Sequence, residues 1–125
     1  MFINIETTYF YNAMPQSQYN IFFSNESFNI EIDLLKNKKA LHILRAINHP
    51  LRLEMLKLID NNKRMTVTEV FTQLEIKQAV ASQHLAILRK AGFVITKRES
   101  KFVYYALSYN FINHFTNTIN NLFAE

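Results

Sequence analysis

The chain has no cysteine among its 125 residues. This excludes disulfides, thiolate metal sites and thiol-based redox sensing, and it fits a reducing compartment. The first 16 residues, MFINIETTYFYNAMPQ, lack the basic start and apolar stretch of a secretory signal. No apolar run reaches the roughly 18 residues that a membrane crossing needs. We therefore expect a soluble, cytoplasmic protein.

Glycine occurs only once, at Gly92, so the chain has no glycine-rich phosphate-binding loop. It also has no nucleophile–base pair and no close carboxylate pair at a useful spacing. An enzyme is therefore the weakest of three hypotheses. The other two are a DNA-binding regulator and a module that binds a protein partner.

Charge is distributed unevenly along the chain. Residues 1–35 carry four acidic residues and no Lys or Arg, whereas residues 36–125 hold all 14 Lys and Arg against six acidic residues. The later part is therefore much more basic than the overall net charge of +4 suggests. A basic domain of this size points first to nucleic acid, with a basic surface kept for solubility as the alternative.

The acidic start is rich in aromatic residues. Residues 1–33 hold eight aromatic side chains, and NIFFSNESFNIEI predicts two short strands around a turn at Ser24–Ser27. We expect this extension to pack on the domain or on a partner subunit, although Met14 is an alternative start. The predicted division is an extension at residues 1–33 and one domain at residues 34–125.

From residue 34 the pattern is mainly helical. It predicts a first helix up to Asn48, a second that Pro50 opens, and a third that Thr66 and Glu69 open as a capping box. The apolar face of the second helix is predicted from Leu53, Leu56 and Ile59. A fourth helix begins near Gln78 and ends at Gly92, after which a β-hairpin and a last helix follow.

This order predicts a mainly α fold with a small β-hairpin, namely a winged helix-turn-helix of about five helices and a two-stranded wing. A helical wheel of QAVASQHLAILRKA puts polar, small and C-terminal basic residues on one side of the fourth helix. Such a face suits a DNA groove, but any amphipathic helix has a polar face. Cations around the hairpin tip favour a wing that contacts phosphates; they are Lys97, Arg98 and Lys101.

Two long segments, AINHPLRLEMLKLID and VTEVFTQLEIKQAVASQHLAILRKAGFVITKRESKFVYYAL, resemble the ArsR/SmtB family of bacterial transcriptional repressors. The resemblance covers about residues 34–123, and its most specific motif is Q-x-x-x-S-Q-H-L-x-x-L-R-x-A-G-x-V. It implies a homodimer that binds a palindromic operator in double-stranded DNA until a signal lowers its affinity. By this resemblance Gln78, Ser82 and Gln83 face bases or phosphates, and Arg98 and Lys101 lie in the wing.

The predicted DNA-binding set also includes Lys77 and Arg89. The family usually has Ser at the cap of this helix and again two residues later, where this chain has Lys77 and Ala79. A lost cap costs about 1 kcal/mol, and a phosphate contact by Lys77 would partly offset it. His84 matches the motif, but the wheel places it at the inner edge, so we assign it a structural role.

The family's metal sites have no counterpart here. Thr66-Val67-Thr68 replaces the Cys-x-Cys pair, and the other site retains only Glu125, with Tyr109, Phe111 and Leu122 in the remaining places. We therefore expect no metal and no cofactor, and any effector would be an unknown small molecule or a protein.

The last helix also predicts a dimer without the family. It is rich in Asn and Thr, which are poor helix formers, so its apolar stripe must be buried. The stripe could pair with the first helix across a two-fold axis or complete the core of the monomer. The predicted dimer residues are Leu41, Leu44, Ile112, Phe115, Ile119 and Leu122.

Overall fold

The computed structural model describes residues 20–124, which form five helices and four strands. In chain order these are β1 (Asn20–Ser24), β2 (Asn29–Asp33), α1 (Leu34–Ile47), α2 (Pro50–Asn62), α3 (Val67–Leu74), α4 (Gln78–Ala91), β3 (Val94–Glu99), β4 (Phe102–Leu107) and α5 (Tyr109–Leu122). The chain divides into two compact units, residues 1–42 and 43–125. The boundary predicted at residue 33 matches the change from β2 to α1; as a domain boundary it stays a prediction.

The first unit contains an antiparallel hairpin of β1 and β2, which confirms the predicted pair of strands. Its turn forms because Asn25 Oδ1 accepts hydrogen bonds from the backbone N–H groups of Ser27 and Phe28, at 2.9 and 2.8 Å. Asp33 Oδ1 then accepts from Leu35 N and caps α1. The alternative start at Met14, the earlier aromatic residues and Glu125 lie outside the described residues.

The second helix, α2, begins as its sequence predicts. His49 is the N-cap, its Nδ1 accepts from Leu51 N at 3.2 Å, and Pro50 occupies the first turn. The prediction that Leu53 lines the inner face is wrong, because that side chain is 48% exposed. Its inner face instead follows a three-to-four spacing, through Arg52, Met55, Leu56 and Ile59.

The pair α3 and α4 forms the helix-turn-helix. The predicted capping box of α3 is confirmed, since Thr66 Oγ1 accepts from Glu69 N at 3.2 Å and Glu69 Oε1 accepts from Thr66 N at 3.2 Å. Glu75 ends α3 in the left-handed conformation, and Lys77 then opens α4. This tight turn packs the two helices against each other.

Gly92 ends α4 with a φ of 104°, which confirms its predicted place after the helix. Strands β3 and β4 then form the predicted antiparallel hairpin, with Val94 opposite Leu107 and Glu99 opposite Phe102. Met65 forms an isolated antiparallel β-bridge with Tyr105 of β4. The hairpin base is therefore fixed to the segment between α2 and α3.

The core of the second unit lies between α2, α3, α4, the hairpin base and α5. Its largest fully buried side chain is Phe93, whose ring meets Phe111 and Phe115 of α5 edge-on, at 5.1 and 5.4 Å between centroids. Tyr109 Oη donates to Asp60 Oδ1 and ties the start of α5 to α2. This arrangement is the predicted winged helix-turn-helix.

Candidate nucleic-acid interface

The fourth helix, α4, has a sharply divided surface. Ala81, Leu85 and Leu88 are fully buried on its inner side. The outer side is exposed and carries all the predicted contact residues of this helix, which are Gln78, Ser82, Gln83 and Arg89. It is polar without charge at its N-terminal end and basic in its last turn, at Arg89 and Lys90.

Lys77 is the N-cap residue of α4 and its side chain makes no capping hydrogen bond. The predicted loss of the cap is therefore confirmed. Lys77 is exposed beside Gln78, so its ammonium group lies at the same end of the helix as the uncharged polar residues.

The wing carries its three predicted cations at one end but not on one face. Arg98 is paired with Val103 and Lys97 with Tyr104, so their side chains point to opposite faces of the hairpin. Lys101 follows Ser100 in the two-residue loop of the hairpin. Ser100 adopts a φ of 58°, a conformation for which glycine is the usual residue at such turns. All three cations are exposed.

Arg64, which the sequence did not single out, secures the outer part of the wing. Its Nη1 lies 2.7 Å from Glu99 Oε2, and its guanidinium carbon lies 4.1 Å above the Tyr104 ring. The hydrogen bond from Arg64 lowers the pKa of the Glu99 carboxyl, and the charge of Lys97 contributes in the same direction. Arg64 stands in one short extended segment, which gives no periodic signal.

Arg52, which ends the sequence His49-Pro50-Leu51-Arg52 at the start of α2, also had no role in the sequence interpretation. Only 9% of it is exposed, and it is the one charged residue buried among residues 20–124. Its Nε donates to Ala46 O at 2.6 Å and its Nη2 to Arg45 O at 3.0 Å, both in the last turn of α1. Its Nη1 lies 3.1 Å from Nδ1 of His84. A single guanidinium thus joins α1, α2 and α4.

His84 lies at the inner edge of α4, in agreement with the structural role inferred from the wheel. Burial lowers its pKa below the usual value, and His49 and Arg52 lower it further. The His49 and His84 rings are 4.8 Å apart. Because a guanidinium can only donate, Nδ1 of His84 accepts this hydrogen bond and its ring is neutral.

The predicted dimer stripe on α5 is divided along its length. Ile112 and Phe115 are half-buried against the core of the unit, whereas Leu122 is 74% exposed and the adjoining Phe123 is 79% exposed. Ile119 between them is half-buried, and so are Leu41 and Leu44 of α1. The start of the stripe therefore completes the core of the monomer, while its end leaves apolar area exposed.

Comparison with known proteins identifies the family of this chain. The family model for bacterial regulatory proteins of the arsR family matches residues 49–96. The transcriptional activator HlyU from Vibrio cholerae is 33% identical over 87 residues, which cover 70% of this chain and 80% of that protein. The chain belongs to the arsR family. The matched residues extend from the cap of α2 to the middle of β3, and so include all of α4.

Two further relatives are similar to this arsR-family chain. The biofilm growth-associated repressor of Agrobacterium fabrum is 39% identical over 66 residues, 53% of this chain and 56% of that protein. The crystal structure of the transcriptional regulator HlyU from Vibrio vulnificus superimposes with a TM-score of 0.52 at 31% identity, over 72% of this chain and 93% of that one. Family and fold together make the protein a DNA-binding transcription regulator.

At those of the family's metal positions that the structure describes, the residues do not fit a metal. The hydroxyl of Thr66 is engaged in the cap of α3, where it also donates to Glu69 Oε1 at 3.0 Å, and the hydroxyl of Tyr109 donates to Asp60. Within residues 20–124, no three His, Cys, Asp or Glu side chains come together as a possible metal site. In the same part of the chain, the longest helices have 14 residues and none could cross a membrane.

Proposed function

We propose that this protein represses transcription by binding, as a homodimer, an operator with two-fold symmetry in double-stranded DNA. One observation carries the proposal. The exposed side of α4 has uncharged amide and hydroxyl groups where a helix would enter the major groove, with cations at its flanks and on the adjoining wing.

The side chains divide into two roles. Gln78 and Gln83 can each donate and accept, which suits N7 and the N6 amino group at the major-groove edge of an adenine, and Ser82 is short enough to permit close approach. Exposed positive charges lie at both ends of α4 and in the wing, and they would contact phosphates without reading sequence; they are Lys77, Arg89, Lys97, Arg98 and Lys101.

The exposed end of α5 supports the homodimer. Leu122 and Phe123 would be buried if α5 paired with α1 and α5 of a second copy. A two-fold axis there would place two α4 helices on successive turns of one duplex. Repression is proposed because the similar protein of Agrobacterium fabrum is a repressor by name. HlyU of Vibrio cholerae is an activator by name, so the direction of the effect on transcription needs its own measurement.

Duplex binding measured against salt tests the proposal. A duplex selected from random sequences should bind tightly at low salt, with two chains per duplex and an affinity that falls linearly on a log–log salt plot. A reporter gene behind that duplex should be less active when the protein is present. Failure to bind any duplex at low salt would favour a module that binds a protein partner.

A further inference from the structure

The last turn of α1 depends on a residue of the next helix for its hydrogen bonds. Helix α1 ends at Ile47, so the carbonyl groups of its last residues lack partners within the helix. Arg52 donates to two of them, Arg45 O and Ala46 O. A buried guanidinium is stable only when hydrogen bonds replace its water, and these two carbonyls supply part of that replacement.

The remaining contact of Arg52 reaches α4. Its acceptor, His84, directly follows Ser82 and Gln83, which are both exposed on the outer side of the helix. The buried leucines of α4 hold the helix against the core through contacts that have little directional preference. A hydrogen bond is directional, so the contact at His84 resists rotation of α4 about its own axis.

We propose that Arg52 and His84 are positioning residues for DNA recognition: they set the rotation of α4 relative to the last turn of α1, and do so only while the His84 ring is neutral. The inference rests on the proposed DNA-binding function, because the groups held in place are Ser82 and Gln83. Neither Arg52 nor His84 needs to contact DNA itself.

Protonation of His84 would break this bridge. With both ring nitrogens carrying protons, Nδ1 could no longer accept, and a cation would face the Arg52 guanidinium. The groups that act on the ring are Arg52 of α2 and His49 at its cap, and both oppose the added proton. From α1, the carbonyl groups of Arg45 and Ala46 accept from the same guanidinium.

The decisive measurement is the ratio of affinities for the selected operator and for random duplex, followed from about pH 7.5 to pH 5, where histidines titrate. This ratio cancels the general gain in phosphate affinity that every protonated histidine brings. The natural protein should lose about tenfold in the ratio as the pH falls, which is the size expected for one directional hydrogen bond to a buried charge.

Two variants at position 84 separate positioning from mere packing. In His84→Asn the amide oxygen takes nearly the place of Nδ1 and does not titrate, so the ratio should stay high and flat with pH. In His84→Leu the acceptor is lost, so the ratio should be about tenfold lower at every pH. Arg52→Lys should behave like His84→Leu, because an ammonium cannot span the three acceptors as a guanidinium does.

A matched control is His114→Asn, which makes the same change at an exposed histidine of α5 and should keep the pH profile of the natural protein. Two outcomes would overturn this inference and leave the proposed function intact: identical pH profiles for the natural protein and His84→Asn, or an affinity ratio in His84→Leu equal to that of the natural protein. A natural protein that prefers no duplex at any pH would overturn the proposed function, and this inference with it. Since His84 is only half-buried, its variants remain informative if Arg52→Lys fails to fold.

Discussion

Helix α4 and the wing adjoin each other but are held in place by different forces. Helix α4 is fixed by fully buried apolar side chains and by the buried Arg52. The wing is buried only at its base, at Val94 and Leu107, and its outer part is held by the exposed contacts of Arg64. Salt does not screen buried apolar contacts, whereas it does screen an exposed ion pair.

This difference suits the different tasks proposed for the two elements. A helix that reads base edges must present its side chains in one orientation, because hydrogen bonds to bases fail with small displacements. A wing that contacts phosphates can adjust, because phosphates occur at every step along the duplex. The four predictions below test this contrast, from the largest expected effect to the smallest.

Leu85→Ala should remove the main apolar anchor of α4. Leu85 is fully buried, and such truncations lower the free energy of unfolding by about 2–5 kcal/mol. Urea denaturation followed by circular dichroism measures the change. Gln73→Ala, at an exposed position of α3, is the control and should stay within about 0.5 kcal/mol. A loss near that of the control would mean that the core does not hold α4.

Gln83→Ala should lower the affinity for the operator by about 1–3 kcal/mol and leave binding to random duplex unchanged. Its counterpart in the wing, Lys101→Ala, should weaken binding to every sequence equally and reduce the salt slope by about one unit. Fluorescence anisotropy at several salt concentrations measures both quantities. Equal losses on operator and random duplex for Gln83→Ala would remove the proposed division of roles.

Lys77→Ser should change stability and DNA binding in opposite directions. The serine hydroxyl would supply the missing cap of α4 and raise the free energy of unfolding by about 1 kcal/mol. Loss of the ammonium group would reduce the affinity for all duplexes. Thermal unfolding and anisotropy are the measurements, and Lys57→Ser, on the exposed side of α2, should show no gain in stability. Unchanged DNA affinity would exclude Lys77 from the interface.

Glu99→Gln should loosen the wing and leave α4 unaffected, because Arg64 would lose its charged partner. The pKa of Glu99 is lowered in the folded protein, so its contribution is present above the usual value of 4.5 and is lost as the pH falls through the lower, folded value. Amide exchange in β3 and β4 should accelerate at neutral pH and low salt, and the difference should shrink in high salt. Faster exchange in α4 as well would contradict the separation of the two elements.

Local signals in the sequence predicted much of this structure. The capping box at Thr66 and Glu69, the missing cap at Lys77 and the glycine at the end of α4 each depend on residues within one turn. The exposed side of α4 followed from helical periodicity for the same reason. The contacts of these exposed residues of α4 with DNA stay predictions.

The contacts that orient these elements could not be predicted, because they join residues distant in sequence. Arg52 and His84 are 32 positions apart, and their pairing depends on the crossing of α2 and α4. Arg64 meets Glu99 only because Met65 pairs with Tyr105. Leu53 was predicted to point inward because it is apolar. The inward position is in fact that of the preceding residue, Arg52, and hydropathy does not predict a buried arginine.

Gly92 gives α5 a mechanical connection to α4 and the wing. A Cβ added to Gly92 would lie 3.1 Å from the Phe111 ring, so the joint between α4 and β3 already rests against α5. Close-packed interiors transmit displacement, because they contain little free volume to absorb it. The same α5 ends in the exposed Leu122 and Phe123. Any partner that shifted this helix by a few tenths of an ångström would therefore push on the point from which the helix and the wing diverge.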